Sequence, residues 1–300
     1  SKEDIARLFH EKLHSAPGLS PAELTLVARE KLRSKYLEAT IGITGANFII
    51  AETGSIAITE NEGNGRLSCS FPKTHIVITG IEKVIPSLTD LALFWPLLST
   101  FGTGQRVTSY NTIVSGPKQA GEYDGPEEMY VILLDNGRTN LLSNIKVRES
   151  LYCIRCGACL NACPVYKNIG GHAYGSTYSG PIGAVITPHL KGMKQWNHLS
   201  YASSLCGNCT AVCPVKINLH EILLENRHEA VTEGDAGRME KLAWRGWKQA
   251  SLHRKWMNMG NYKMKNWVIN RMFKGWTGER ADLVFPEKTF NQRWRESREG

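Results

Sequence analysis

The sequence predicts a layered α/β domain over its first part and an all-helical region after it. Three observations predict this. Short runs of β-branched residues bounded by glycine alternate with helical periodicity up to about residue 140. Beyond that point strand-like patterning stops. Seven of the eight cysteines then fall into two short runs, with only Cys69 apart.

The α/β reading rests on its elements in order. Ile5, Leu8, Phe9 and Leu13 lie on one face of a first helix. Ser20, Pro21 and Glu23 form a capping box with proline at the first helical position, and Leu24, Val27, Ala28, Leu32 and Tyr36 continue with a 3.6-residue period. Apolar runs at 48–51, 56–58 and 76–78 suit strands buried on both faces, and Thr53-Gly54 turns the chain between the first two. Ser87 and Asp90 cap a helix through Leu98. Phe101-Gly102-Thr103-Gly104-Gln105 reads as a connector, because it lacks the strand-before, helix-after context of a nucleotide fingerprint. A glycine- and proline-rich loop over 116–128 precedes a last strand, Met129 to Leu134. Helix and strand alternate, so a substantially parallel sheet is expected.

Composition narrows the class. The chain has 300 residues, 42% of them hydrophobic and 21% charged, which excludes disorder and leaves enough apolar residues for a core. Leu91 to Leu98, the longest apolar stretch, is interrupted by Pro96 and is too short to cross a bilayer. The first residues form no basic-then-apolar leader, and Ser1 stands where a methionine would begin a chain, which raises the expectation of a fragment or a processed form. Clustered cysteines without a leader point to metal in a reducing, cytoplasmic compartment, with the protein free there or peripheral at a membrane. From Arg227 to Gly300, sixteen Lys+Arg stand against nine Asp+Glu, so this stretch carries +7 of the whole chain's +8. It also holds Trp244, Trp247, Trp256, Trp267, Trp276 and Trp294. The expected domains are therefore 1–140, 141–226 and 227–300.

The first cysteine run, Cys153, Cys156, Cys159, Cys163 and Pro164, has the spacing C-x2-C-x2-C-x3-C-P. This is the bacterial ferredoxin spacing for iron–sulfur clusters. A tight loop lets three thiolates reach three irons of one cube. The fourth cysteine opens a helix and points toward a second cube, with proline at a position that needs no amide donor. Cys206, Cys209, Cys213 and Pro214 repeat the latter part. By the crossed logic of two-cluster ferredoxins, cluster one takes Cys153, Cys156, Cys159 and Cys213, and cluster two takes Cys163, Cys206 and Cys209. The position that would complete the second run is Ser203. Two [4Fe–4S] clusters are expected, the second as a possible [3Fe–4S] or with Ser203 oxygen, another residue or solvent at its fourth corner. Paired C-x2-C units also make zinc sites, but zinc does not need a four-cysteine run ending in proline.

The segments CIRCGACLNACPVYKNIGGHAYGSTYSGPIGAVITP and SSLCGNCTAVCPVKI resemble the lactate utilization protein B family. GANFIIAETGSIAITENEGNGR, FPKTHIVITGIEKVIP and NTIVSGP resemble its LUD domain, so the likeness covers most of residues 40 to 215. The resemblance implies a LUD-type α/β domain of NagB/RpiA/CoA-transferase-like fold, N-terminally incomplete here, followed by an α-helical ferredoxin domain. It also implies an electron-transfer subunit in a complex oxidising L-lactate to pyruvate. The implied partners are a cysteine-rich iron–sulfur subunit and a second LUD-domain subunit.

Other features carry weaker expectations. Glu52 and Ser55, at a strand end, with Asn61 and Arg66 on a facing loop, are candidates for a small anionic ligand; a hydrated hairpin is the simpler alternative. Gly170, Gly171, Gly175, Gly180 and Gly183 would let amides approach cluster sulfurs. His172 is a candidate ligand or proton relay, with an ordinary hydrogen-bonded histidine as its plainer reading, and Cys69 a buried free thiol. No residue is assigned a catalytic role, since no triad, P-loop or paired-histidine site occurs. The basic tryptophan-rich stretch is read as a partner-docking surface, with internal packing as the alternative; nucleic acid is not expected. The rival functions are a LUD enzyme acting on an acyl or phosphosugar ligand with regulatory clusters, and a cluster-containing nucleic-acid binder.

Overall fold

The computed structural model describes residues 1–232, 237–253, 255–256, 259–272, 274 and 281–299. The chain divides into two compact units, 1–233 and 234–300.

The first unit opens with α1 (Lys2–Leu13) and α2 (Pro21–Glu38). The Ser20 hydroxyl accepts from the Glu23 amide while the Glu23 carboxylate accepts from the Ser20 amide, which is the expected capping box. Neither helix is deeply packed; Ile5, Leu8 and Leu32 are exposed and only Leu24 is buried. The following elements are β1 (Ile41–Thr44), β2 (Phe48–Ile50), β3 (Ser55–Glu60), α3 (Asn64–Ser70), β4 (Thr74–Gly80), β5 (Val84–Ile85), α4 (Leu91–Thr103), β6 (Tyr110–Val114) and β7 (Glu128–Leu134). The anticipated connector at 101–105 instead completes α4, which runs through Pro96 and ends where Gly104 turns left-handed at φ 74°.

The expectation of one mainly parallel sheet needs correction. The strands form a parallel sheet ordered β1-β4-β7 and a mixed sheet ordered β5-β2-β3-β6. The cause is local. Gly54 N–H bonds back to the Ile50 carbonyl at 2.9 Å, closing a tight turn that makes β2 and β3 antiparallel, and β6 then adds antiparallel to β3. Burial on both faces holds for β2 and most of β3, but not for β4 and β7. In the parallel register Ile41, Ile43, Ile78, Tyr130, Ile132 and Leu134 share one face, and all six are exposed. The opposite face buries Val77 against Ile49, Ile56 and Ile58 of the mixed sheet.

Helices α5 (Arg138–Ser143), α6 (Ala158–Ala162), α7 (Pro164–Ile169), α8 (Gly180–Lys191), α9 (Met193–Trp196), α10 (His198–Tyr201), α11 (Asn208–Ala211) and α12 (Leu219–Thr232) complete this unit. Every residue of α8 from Gly180 to Pro188 is buried, so α8 is the axis of the helical core. Pro188 has no amide to give the Ala184 carbonyl four residues earlier. The Ser200 hydroxyl donates to that carbonyl at 2.9 Å instead, and Asn226 Nδ2 donates to the Val185 carbonyl at 2.9 Å and to Ser200 Oγ at 3.1 Å. On α12 Leu219, Ile222, Leu223, Asn226 and Ala230 are buried, the i, i+3, i+4, i+7 stripe of a helix packed on one side.

The second unit contains α13 (Arg238–Leu252), α14 (Tyr262–Met272) and α15 (Phe290–Glu299). Among its described residues none is buried. Trp244, Trp247, Trp256, Trp267 and Trp294 are all exposed, and Trp276 lies outside the described residues.

Candidate metal centre

Two loops carry the cysteines, and they share one backbone design. Arg155 and Leu205, each just before a cysteine, are left-handed at φ 65° and 54°. Gly157 and Gly207, each just after it, are left-handed at φ 81° and 77°. Each glycine opens one short helical turn, α6 or α11, that presents the next cysteine, Cys159 or Cys209. Superposing the patterns sets Cys156 on Cys206 and Cys153 on Ser203. Cys163 is the N-cap of α7 with Pro164 at its first position, and its Sγ accepts from the Tyr166 amide.

Cys153, Cys156, Cys159 and Cys213 line one cavity of about 180 Å³, closed by apolar side chains such as Leu160, Ile182 and Ile217. Among the described residues no three His, Cys, Asp or Glu side chains converge as ligands of a single ion would. The four cysteines border a shared cavity instead, an arrangement that suits a polynuclear cluster better than one tetrahedral zinc. Cys209 lies within charge range of Cys163 and Cys206, and also of Cys159 in the first set, and Asn208 Nδ2 ties the loops by donating to the Ala162 carbonyl at 3.2 Å.

The thiols differ in electrostatics. Burial pushes Cys159 up to about 12, although the Ile182 amide at the start of α8 bonds to its sulfur. Burial also raises Cys156 and Cys209. Cys206 is exposed and lowered, chiefly by the Asn208 amide and then by the Ser204 hydroxyl. Buried thiolates are stable only beside positive charge, which iron ions supply, so the donor set fits an iron–sulfur cluster.

The loop around Cys153 is anchored in the α/β part. Ile154 is 4% exposed and packs in one cluster with Phe48, Ile50, Ala57, Ile85 and Leu91. Next to it lies a charge group with Glu82 and Arg138 buried at its centre. Glu82 Oε2 is 2.6 Å from Arg138 Nε and Glu82 Oε1 is 3.6 Å from Arg155 Nη2, the former a charge contact without hydrogen-bond alignment. Lys83 Nζ donates to the Cys153 carbonyl at 3.3 Å, and burial, with Arg155 nearby, pushes it down to about 8. Arg155 lies over the Tyr178 ring at 4.1 Å, and Arg138 Nη2 donates to the Tyr178 hydroxyl at 3.1 Å. A Cβ on Gly80 would stand 2.0 Å from Glu82 Oε2, so this glycine makes room for the group. Sequence reasoning missed this group because its members lie far apart along the chain.

The remaining candidates are placed as follows. The Ser203 hydroxyl accepts from the Leu205 amide at 3.1 Å, and its carbonyl accepts from Arg227. Glu52 and Ser55 stand at one end of β3, where the Leu88 amide donates to Glu52 and Ser55 bonds Ser115. Asn61 and Arg66 follow the other end, Asn61 bonded to Gln105 and Ser109 and Arg66 over Tyr110. The structure therefore does not bring these four together. His172 is exposed, and Cys69 is a buried free thiol donating to the Arg66 carbonyl.

Residues 1–134 match the LUD domain family and residues 149–217 the 4Fe-4S dicluster domain family. The whole chain aligns at 44% identity with lactate utilization protein B of Bacillus velezensis, covering 65% of that protein. Over the region that it spans, the chain is similar to lactate utilization protein B. The Bacillus subtilis relative aligns at 44% identity over 99% of the chain and 66% of its own length, and the Bacillus licheniformis relative at 50% over 81% and 51%. The chain thus spans between half and two thirds of the length of these curated relatives. A solved DUF162 family protein from Deinococcus radiodurans aligns over 33% of this chain and 56% of its own, at 21% identity and a TM-score of 0.26. Among the described residues no helix is long and apolar enough to cross a membrane.

Proposed function

We propose that this chain is an iron–sulfur electron-transfer subunit of a complex that oxidises L-lactate to pyruvate. The observation that carries the reading is the cavity ringed by Cys153, Cys156, Cys159 and Cys213, in a chain similar along its whole length to lactate utilization protein B. These four hold cluster one. Cys163, Cys206 and Cys209 hold cluster two, with Ser203 oxygen, another residue or solvent at its remaining corner or that iron missing.

Lactate gives up two electrons and two protons in becoming pyruvate. Iron–sulfur clusters bound in the two loops accept and release electrons singly, which suits handing a pair onward. The chain's own residues position and insulate. Leu160, Ile182 and Ile217 exclude water from the first site, the Ile182 amide bonds the Cys159 sulfur, and Ile154 fixes the loop to the α/β part. The working division is a LUD-type domain at 1–140, a ferredoxin-type domain at 141–226 and a basic helical region at 227–300. That last region, with its exposed tryptophans, docks a partner: a cysteine-rich iron–sulfur subunit or a second LUD-domain subunit.

Anaerobic protein mixed with both partner subunits tests the reading. Lactate should bleach the visible absorbance of this chain, whereas the isolated chain should form no pyruvate. Pyruvate formation by the isolated chain with an artificial acceptor would overturn the subunit assignment.

A further inference from the structure

The first cysteine site lies beside a charge group in which the Glu82 and Arg138 side chains are buried and Lys83 and Arg155 are half-buried. Arg138 and Arg155 face one carboxylate, Glu82, and Lys83 stands beside them on the Cys153 carbonyl, leaving an excess of two positive charges while Lys83 is protonated. Both arginines remain charged at any accessible pH, so the group is cationic whatever else titrates. Asp135 does not neutralise it: its carboxylate is exposed and bonded to the Thr139 amide and hydroxyl.

The group also has a direction. Glu82 and Lys83 lie on the single turn after β4, and Arg138 opens α5, so three members come from the α/β side of the ferredoxin-type loop. The fourth, Arg155, lies between Cys153 and Cys156 and lines their cavity. Its Nη1 is buried without a hydrogen-bond partner among the described residues, which leaves a positive donor uncommitted in the first site. The equivalent position in the second loop is Leu205, which brings no charge.

We propose that this partly buried cationic group is a potential-setting device, by which the LUD-type part biases cluster one toward its reduced state. Reduction adds negative charge to a cluster, and a fixed positive field in a low-dielectric site favours that state. The second loop receives one cation, Arg227 on the Ser203 carbonyl, where the first receives Lys83 on that of Cys153. It has Leu205 in place of Arg155, so the two sites are tuned apart by more than cysteine count. Lys83 and Glu82 act here as positioning residues of opposite sign. This rests on the cluster-binding reading above.

Redox titration of the loaded chain, followed by EPR, tests it in four proteins: wild type, Lys83→Met, Lys83→Arg and Glu82→Gln. Lys83→Met should lower the reduced-to-oxidised ratio of cluster one at the wild-type midpoint by about tenfold, as one charge in a partly buried site would. Lys83→Arg should restore it, and Glu82→Gln should raise it. A packing role alone would move both neutral variants in one direction and would not distinguish Met from Arg by charge. Should Glu82→Gln not fold, the Lys83 pair decides alone. Unchanged potentials at full iron content, or shifts of one sign, would overturn the device while leaving the cluster assignment standing. Wild-type chain without iron and labile sulfide would overturn the cluster reading, and the proposal with it.

Discussion

The loop around Cys156 and the loop around Cys206 have the same backbone and opposite surroundings. Both place a left-handed residue before the cysteine and a left-handed glycine after it. The first sends Ile154 into the core of the α/β part and Arg155 to Glu82. The second leaves Cys206 exposed and has serine where the first has Cys153. Backbone geometry is thus set by the short motif, whereas solvation and charge are set by what the rest of the chain brings. Similar ligand loops need not give similar clusters.

The largest expected difference is in stability. Ile154→Ala removes a side chain buried in the α/β core and should cost about 2–5 kcal/mol, while Leu205→Ala, at a half-buried position, should cost less than half as much. Urea unfolding of both variants measures this; equal losses would erase the contrast. A second effect concerns the cluster-free thiols. Alkylation requires thiolate, a lowered pKa enlarges that fraction, and a raised one shrinks it. Cys206 should therefore react at least ten times faster than Cys159 at about pH 8.5. Cys159, with its pKa pushed up to about 12, should stay largely unreactive up to about pH 10. Mass-mapped alkylation over pH reads both.

Ser203→Cys sharpens the comparison from the other side. It supplies a fourth thiolate to the second loop and should change the EPR signal and oxygen sensitivity of cluster two, leaving cluster one as it was. Deleting 234–300 should have the smallest effect on the clusters: iron content unchanged, with loss of partner binding in a pull-down. Iron loss with assembly intact would make that region internal support.

Much of this was legible in the sequence because the deciding signals are local. The cysteine spacing, the Ser20–Glu23 box, the Thr53-Gly54 turn and Pro164 at a helix start each act within a few residues. β1, β5 and β6 were missed because they are short or carry mixed polar residues, as in Tyr110–Val114. The division into two sheets follows from an antiparallel pairing that alternation of helix and strand does not reveal. The Glu82, Lys83, Arg138 and Arg155 group joins distant segments and has no periodic signature. Pro188 leaves the Ala184 carbonyl without a helical donor, and Ser200 reaches it only through the packing of α8 and α10, which no local pattern encodes.

The central claim is that this chain holds two iron–sulfur clusters in unlike environments. Iron and acid-labile sulfide analysis of anaerobic wild-type protein, combined with EPR during controlled exposure to oxygen, tests it most directly. The expected result is sulfide with iron, two resolved signals, and earlier loss of the one bound by Cys206, the exposed cysteine. Stoichiometric zinc without sulfide, or two signals that decay together, would contradict it.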